Sequence, residues 1–215
     1  MGRDSAADEE ILEAVDRALR KHGYAELTMQ DIADECSKSK SLLHYHFDTK
    51  EDLLIAFLDD LLDSYEQRLE CRTNDPPAER MMEFLARFVF APGQEDREAF
   101  HLALLEMRSQ GAFNDRIRER LVRSDRLLRA TVIDILEDGI EAGVFEPVDP
   151  ERTAALLVAT LDGARTRQIT LGEENDSYTR TVVEELLDRV IEPILTEAAE
   201  LPTIEETLED LDRQG

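Results

Sequence analysis

Apolar residues recur at helical spacing along almost the whole chain, and no segment shows the strict alternation of a half-buried strand. The pattern predicts nine helices, at about residues 6–22, 28–35, 40–45, 50–71, 78–90, 96–110, 114–142, 150–172 and 178–200. Pro193 is expected to kink or break the ninth helix, and a short acidic helix is expected after Thr203. The sequence therefore predicts an all-α fold.

The segment 28–53 carries the clearest helix start and stop signals. Thr28 and Thr49 are each followed three residues later by an aspartate, the arrangement of a capping box. Residues 36–38 form a polar interruption, after which Ser39 can cap the next helix. Two short helices joined by such a turn are typical of a helix-turn-helix unit, whose second helix can enter the DNA major groove.

The predicted domains share a helix, because no glycine- or serine-rich linker interrupts the chain. We expect an N-terminal three-helix helix-turn-helix DNA-binding domain at residues 1–50. The long helix 50–71 has too wide an apolar face to serve that small bundle alone, so it joins a larger helical domain at 51–200. Residues 201–215 are expected to form an acidic C-terminal tail.

Charge is distributed unevenly. The chain has 25 basic and 50 acidic residues, a formal net charge of −25. Its lysines are Lys21, Lys38, Lys40 and Lys50. Three of them lie within residues 36–50 against a single acid, Asp48, which gives this segment a local net charge of +2. A cationic island at the predicted helix-turn-helix indicates contact with phosphate, although ordinary solvated lysines remain an alternative.

Nothing in the sequence points outside the cell. No apolar run approaches the roughly 18–20 residues that span a membrane, and the N-terminal segment lacks the apolar region of a signal peptide. Two cysteines, Cys36 and Cys71, are too few for a disulfide scaffold. We therefore expect a cytoplasmic protein with no membrane partner.

The acidic residues are spread along the chain rather than collected in a tail. With scarce lysine and retained arginine, this composition resembles that of proteins from salt-loving archaea. An acidic protein from an ordinary cytoplasm is the alternative, because net charge speaks to solubility and not to fold.

The segment 28–53 resembles the DNA-binding signature of the tetracycline-repressor (TetR) family of bacterial and archaeal regulators. The matching residues are Thr28, Asp31, Ile32, Ala33, Ser39, Lys40, Leu43, Tyr45, Phe47, Lys50, Glu51 and Leu53. The match extends over roughly residues 8–58. This chain has Ser37 and Lys38 where the family usually has a glycine and a small apolar residue, and Ser41 and His44 also depart from the pattern.

The resemblance implies roles for individual residues. Phosphate contacts are implied for Thr28, Tyr45 and Lys50. The residues on or just before the recognition helix are Lys38, Ser39, Lys40, Ser41 and His44. Leu43 and Phe47 are expected in the core. A packing role for Tyr45 and a plain surface position for His44 are the alternatives.

The second domain is interpreted as a sensor and a dimer interface. Apolar runs on the eighth and ninth helices suggest a homodimer with Leu161, Val183, Leu187 and Val190 at the interface, and Ala159 and Gly163 would allow close helix approach. A purely intramolecular core is the alternative. The candidates for an effector cavity are Tyr65, Phe84, Phe88, His101, Glu106, Phe113 and Arg165.

No motif indicates catalysis. His44 and His46 are two residues apart on a helix and face different directions, so they cannot hold one metal ion together. The chain has no glycine-rich phosphate loop and no nucleophile elbow, and we expect no enzyme activity, cofactor or metal. We expect a dimeric repressor that binds a palindromic double-stranded DNA operator and is released by an unknown small organic effector. The alternative is a helical interaction protein of the same fold without specific DNA binding, with Ser37, Lys38 and Ser41 as signs of the loss.

Overall fold

The computed structural model describes residues 5–36, 40–89, 95–171 and 177–214. Within these ranges the regular elements are helical, which confirms the predicted all-α class. The helices are α1 (Ser5–Glu26), α2 (Met29–Glu35), α3 (Lys40–His46), α4 (Lys50–Cys71), α5 (Pro77–Ala86), α6 (Glu95–Gln110), α7 (Asp115–Glu141), α8 (Pro150–Leu171), α9 (Tyr178–Leu186) and α10 (Ile204–Gln214). A π-helical turn (Leu187–Ile191) and a 3-10 turn (Glu192–Ile194) follow α9.

The chain forms two compact units. The first, here called the head unit, comprises Met1–Gln67 and Glu95–Ser124, and the second, the C-terminal unit, comprises Arg68–Gln94 and Asp125–Gly215. The predicted domain boundaries at residues 50 and 200 divide the chain by function, and they stay a prediction. By packing, α6 belongs to the head unit, because Ala103 and Met107 of α6 are buried in the core of that unit.

The head unit is held by one apolar cluster and by its helix caps. Ile11 and Leu19 of α1 pack in this cluster with Ile32 of α2, Leu43 of α3 and Leu53 of α4. All five side chains are almost completely buried. The cluster therefore fixes α2 and α3 against the flanking helices, which is what a helix-turn-helix unit requires.

Both predicted capping boxes are present in the head unit. Asp31 N donates to Thr28 Oγ1 over 3.3 Å, and Thr28 N donates to the Asp31 carboxylate over 2.8 Å. At α4, Asp52 N donates to Thr49 Oγ1 over 3.1 Å, and Thr49 N donates to the Asp52 carboxylate over 3.2 Å. Each box satisfies two backbone donors that the first helical turn would leave open.

The C-terminal unit confirms several helix ends that were predicted from sequence. Asp149 caps α8 by accepting from Arg152 N over 3.0 Å. Gly143, with φ 71°, ends α7 in the left-handed conformation that glycine adopts without steric penalty. Helix α5 begins at Pro77, one residue before the predicted start, and ends at Ala86, earlier than the predicted residue 90.

The ninth helix does not continue to residue 200 as predicted. Pro193 cannot donate a backbone hydrogen bond, and after the 3-10 turn the chain is extended at Leu195. Leu195 forms an isolated antiparallel bridge with Phe145, in which Glu146 N donates to Ile194 O over 2.7 Å. The pairing with the residues after α7 gives the released backbone groups new partners.

The acidic segment at the C-terminal end of the chain forms α10. Thr203 caps it, accepting from Glu206 N over 3.3 Å. Ile204 and Thr207 are buried, and Ile204 belongs to the core cluster of the C-terminal unit. Residues 204–214 therefore pack as part of this unit rather than trail from it.

Gly139→Ala is expected to destabilise the protein by about 1–3 kcal/mol, because an added methyl group overpacks the core. A Cβ atom at this position would lie 2.1 Å from Cδ2 and 2.5 Å from Cε2 of Phe145, whose ring is buried. This clash outweighs the gain in helix propensity, which is about 1 kcal/mol. Chemical denaturation followed by circular dichroism measures the change.

The matched control for Gly139→Ala is the double variant Gly139→Ala/Phe145→Leu, which removes the ring atoms that the methyl group would meet. The two substitutions should be less destabilising together than the sum of the single effects, because they share one contact. An unchanged unfolding midpoint for Gly139→Ala alone would show that the ring can move aside.

Candidate nucleic-acid interface

Helices α2 and α3 have the lengths of a helix-turn-helix unit, with seven residues each. Helix α2 ends at the buried Cys36, whose N–H donates to Ala33 O over 3.2 Å. The turn residues Ser37, Lys38 and Ser39 lie outside the described residues, as does the side chain of Lys40. The candidate contacts on these four residues therefore remain predictions from sequence.

Helix α3 has one buried and one exposed face. Leu43 is fully buried and Phe47, just after the helix, is 5% exposed, which confirms both as core residues. Ser41, His44 and Tyr45 are exposed. These three lie at spacings of three and four residues and so share one side of the helix.

Tyr45 is the most notable residue of that face, because 74% of its surface is exposed. Large aromatic side chains are usually withdrawn from water, and a tyrosine presented outward offers both an apolar ring and a hydroxyl donor. Its ring meets the imidazole of His46 edge-on, with the centroids 5.4 Å apart. The packing role that was the alternative for Tyr45 does not agree with this exposure.

Thr28 is exposed, but its hydroxyl already serves the cap of α2. Thr28 Oγ1 donates to Asp31 Oδ2 over 2.6 Å in addition to accepting from Asp31 N. Hydrogen bonds from the Thr28 side chain and then its backbone lower the pKa of the Asp31 carboxyl. A phosphate near Thr28 would therefore also meet a nearby carboxylate that stays ionised.

Lys50 is the residue whose position departs most from the prediction. Its ammonium nitrogen donates to Leu27 O over 2.8 Å and to Tyr24 O over 3.1 Å. It also lies 5.1 Å from the centroid of the Tyr24 ring. The side chain is half-buried, and its predicted contact with phosphate must compete with these three internal contacts.

A ladder of ion pairs, which the sequence did not suggest, links α7 to α4 within the head unit. Arg116 contacts Asp52 at 2.8 Å and Arg120 contacts Asp59 at 2.9 Å. Arg123 lies 2.7 Å from Asp63. The hydrogen bonds that Arg120 donates to the Asp59 carboxylate raise the pKa of Arg120. These pairs could not be predicted from sequence, because Arg, Asp and Glu are so frequent in the chain that many pairings are possible.

The candidate effector residues divide between the two units. Phe84 and Phe88 are buried in the C-terminal unit, where their ring centroids are 5.4 Å apart. The Arg165 guanidinium lies 4.3 Å over the Phe88 ring. These three residues form one aromatic and cationic cluster.

The remaining effector candidates belong to the head unit. Phe113 is 89% exposed, which contradicts its assignment to a cavity. Glu106 accepts a hydrogen bond from Tyr24 N over 2.6 Å. The ring of His101 packs on that of Phe100, and Tyr65 is half-buried on α4.

Two of the four predicted dimer-interface residues lie in the intramolecular core, so that part of the prediction is wrong. Leu161 and Val183 are 1% and 0% exposed and belong to the core cluster of the C-terminal unit. Leu187 and Val190 are partly buried against the same cluster. The alternative of an intramolecular core describes Leu161 and Val183 correctly, and the interface role of Leu187 and Val190 stays a prediction.

The exposed side of α8 carries a different apolar set. Leu156 is 52% exposed, and Ala159 and Gly163 are exposed on the same side of the helix. A Cβ added at Gly163 would meet no atom within 4 Å. Residues 154–159 of α8 are all apolar, so periodicity could not separate the buried side of the helix from this one.

Within the part of the chain that the structure describes, no three His, Cys, Asp or Glu side chains are arranged to hold a metal ion. None of the described helices combines the length and apolar character of a membrane span.

Two family models match the chain. Residues 11–57 match the model described as bacterial regulatory proteins, tetR family. Residues 77–196, more than half of the chain, match the model described as BetI-type transcriptional repressor, C-terminal.

Individual proteins agree with these models. A TetR transcription regulator from Haloarcula marismortui is 36% identical, with a TM-score of 0.76 over 89% of this chain and 100% of that one. A transcriptional regulator from Saccharomonospora viridis, solved in complex with choline, is 26% identical, with a TM-score of 0.73 over 90% of this chain and 100% of that one. The transcriptional repressor AcnR of Corynebacterium diphtheriae is 26% identical over 86% of this chain and 90% of that protein.

The helical fold, the helix-turn-helix and the exposed face of α3 define a DNA-binding transcriptional regulator. With both of its parts matched, the chain belongs to the TetR family of transcriptional regulators.

Proposed function

We propose that this protein is a repressor that binds a palindromic operator as a homodimer and leaves it when a small organic effector binds. The observation that carries the proposal is the exposed face of α3, formed by Ser41, His44 and Tyr45 opposite the buried Leu43. A helix anchored on one side and polar on the other can enter the major groove and present side chains to base edges.

The DNA contacts proposed from sequence complete this face. Lys38, Ser39 and Lys40 precede or begin α3, where cations and hydroxyls can reach phosphate and bases. The hydroxyl of Tyr45 is proposed as a phosphate contact. Thr28 is proposed as a phosphate contact, for which its N–H or hydroxyl would have to donate to the phosphate instead of to the Asp31 carboxylate.

The dimer is proposed to form through the exposed side of α8, with Leu156, Ala159 and Gly163 at its centre. Small residues allow two helices to approach closely, and an exposed leucine among them gains by being covered. In a two-fold dimer this surface meets its own copy, and the two recognition helices can lie about 34 Å apart, one turn of DNA.

The effector is proposed to act by preferring one of two conformations. A ligand shifts such an equilibrium only by its difference in affinity for the two states, and operator affinity changes by the same coupling. The cluster of Phe84, Phe88 and Arg165 is the proposed contact region in the C-terminal unit. The choline bound by the Saccharomonospora viridis regulator makes small organic cations a first class to test.

The cell of origin is proposed to be a salt-loving archaeon, with the protein in its cytoplasm. The acidic, lysine-poor composition supports this origin, as does the similarity to the Haloarcula marismortui regulator. The protein is proposed to have no enzymatic activity.

Selection of bound sequences from a random DNA library tests the proposal directly. The wild-type protein in molar KCl is expected to enrich duplexes with an inverted repeat. Lys40→Ala is expected to relax the preference at one base position of each half-site, with a loss of about 1–3 kcal/mol if Lys40 binds a guanine through two acceptors.

The matched control for Lys40→Ala is Arg213→Ala, which removes one positive charge from the exposed side of α10. It should leave the enriched sequence unchanged. An unchanged preference with Lys40→Ala would exclude Lys40 from base readout. If the wild-type protein enriched no sequence, the alternative of a helical interaction protein without specific DNA binding would be favoured.

A further inference from the structure

The turn between α1 and α2 is held by side chains from two other helices of the head unit. Tyr24 lies just before this turn, in the last residues of α1 after the kink at Gly23, and its N–H donates to Glu106 Oε2 of α6 over 2.6 Å. The carbonyl oxygen of Tyr24 accepts from Lys50 Nζ at the start of α4 over 3.1 Å. The same ammonium group also binds Leu27 O over 2.8 Å. A carboxylate and an ammonium thus bind the two polar backbone groups of one residue.

The backbone explains why these groups need partners from outside the turn. Gly23, with φ 68° and ψ 172°, departs from helical geometry and kinks α1 three residues before its end at Glu26. A Cβ atom at Gly23 would lie 3.1 Å from Glu106 Oε2, so the glycine also admits the carboxylate. Hydrogen bonds in which one partner is ionised are stronger than neutral ones, which suits them to fix an irregular turn.

Both side chains start from well-packed helices. Glu106 lies between the buried residues Ala103 and Met107 of α6 in sequence. Lys50 follows directly after Thr49, whose capping box with Asp52 fixes the first turn of α4. The positions from which the two charged groups reach the turn are therefore set by the core and the cap.

The turn leads directly into the DNA-binding helices. Leu27, whose carbonyl binds Lys50, is followed by Thr28, the N-cap of α2. Any displacement of Tyr24 and Leu27 moves the start of α2. The recognition helix α3 follows within twelve residues of Thr28.

We propose that Glu106 and Lys50 are positioning residues of the DNA-binding surface, which clamp the α1–α2 turn and thereby set the orientation of α2 and α3. Lys50 acts through the two carbonyl groups and not through phosphate. The inference rests on the proposed DNA binding, but the clamp itself can be measured without DNA.

The test uses the full-length protein and a duplex that the wild-type protein has enriched from a random library. Lys50→Met removes the ammonium and keeps most of the apolar stem, and Glu106→Leu removes the acceptor. Two quantities are measured for each variant: the hydrogen-exchange rate of the Tyr24 amide by NMR without DNA, and the dissociation constant as a function of KCl concentration.

Both variants are expected to raise the Tyr24 amide exchange rate and to weaken operator binding about tenfold, as expected for the loss of a charge-assisted hydrogen bond. The slope of log affinity against log salt should stay at the wild-type value, because no phosphate contact is lost. Loss of a phosphate contact would lower that slope by about 1. The double variant should bind the operator more weakly than either single variant. Its loss of affinity should be smaller than the product of the two single losses, because both side chains hold the same turn.

A conservative variant and a matched control distinguish a positioning role from a general effect on stability or charge. Glu106→Gln keeps an oxygen that can accept from Tyr24 N, and it should restore both amide protection and affinity. Arg118→Met removes one positive charge from an exposed site on α7 of the same unit, where the side chain pairs with Asp115 of its own helix, and it should change neither quantity by much.

Two results would overturn the clamp. One is wild-type protection of the Tyr24 amide in both single variants. The other is a salt slope lowered by about 1 in Lys50→Met, which would restore the phosphate role. If the wild-type protein enriched no duplex, the proposed function would fail instead, and the exchange measurement would still decide whether the contacts hold the turn.

Discussion

Val183→Glu is expected to unfold the C-terminal unit rather than to separate a dimer. Val183 is 0% exposed in α9 and belongs to the apolar core cluster. An unpaired carboxylate at such a site loses its hydration and gains no partner, and the loss of stability should exceed about 4 kcal/mol. Circular dichroism and thermal unfolding should show loss of helix or a much lower midpoint.

The matched substitution is Leu156→Glu on the exposed side of α8. Its carboxylate stays in water in the monomer, so the fold should keep its stability while two copies of the charge oppose each other across the proposed dimer surface. Light scattering should report a folded monomer. A folded dimer for Leu156→Glu would place the interface elsewhere, and a folded monomer for Val183→Glu would mean that α9 can turn its core face outward.

Helix boundaries were predictable wherever a local signal defines them. The capping boxes at Thr28 and Thr49, the aspartate before Pro150 and the glycine at 143 each act on neighbouring backbone groups, so the sequence contains the whole interaction. The break of the ninth helix around Pro193 was predictable in the same way. The path of the chain after the break was not, because Leu195 pairs with Phe145, which is 50 residues away.

The candidate site was predictable in part for the same reason. The buried and exposed sides of α3 follow from the positions of Leu43 and Tyr45 in a short amphipathic helix. The partners of Lys50 were not accessible, since Tyr24 and Leu27 approach it only through the tertiary fold. A lysine at the start of a helix predicts a bound anion from local sequence alone. In the fold, Lys50 binds the carbonyl oxygens of Tyr24 and Leu27 instead.

Acidic repulsion is visible within the head unit. Burial raises the pKa of the Asp60 carboxyl, and the nearby charges of Asp63 and Glu9 raise it further. A carboxyl with a raised pKa in the folded state binds its proton more tightly there than in the unfolded chain. It therefore opposes folding at neutral pH, and that opposition is removed as pH falls through its folded pKa.

The ion-pair ladder between α4 and α7 opposes this repulsion locally. Arg116, Arg120 and Arg123 each contact carboxylates of α4 within the head unit. Their side chains are between 25% and 49% exposed, so salt weakens the pairs only in part. The chain as a whole still has 50 acids against 25 bases, and dissolved cations must screen the resulting net charge of −25.

Folding, dimerisation and operator binding are therefore expected to persist from about 1 to 3 M KCl, and the dimer is expected to loosen in dilute buffer. At a net charge of −25, the acidic residues repel each other and the DNA. The screening length falls from about 10 Å at 0.1 M salt to about 3 Å at 1 M, which removes most of that repulsion. In most DNA-binding proteins, counterion release makes affinity fall steeply with salt. In this protein the slope of log affinity against log salt concentration should be shallow, because each head unit offers few cations to the DNA.

The measurements are the thermal midpoint, the oligomeric state and the operator dissociation constant at KCl concentrations from about 0.1 to 3 M. A triple variant, Glu146→Lys/Glu197→Lys/Glu200→Lys, reverses three exposed charges and changes the net charge from −25 to −19. If repulsion is the cause, this variant should depend less on salt for its stability, because less charge needs to be screened. A fold most stable in dilute buffer, with operator binding lost steeply above about 0.3 M KCl, would contradict the proposed salt-loving origin. The helix-turn-helix would be unaffected by that result, since its capping boxes and buried apolar cluster do not depend on the charge of the remaining surface.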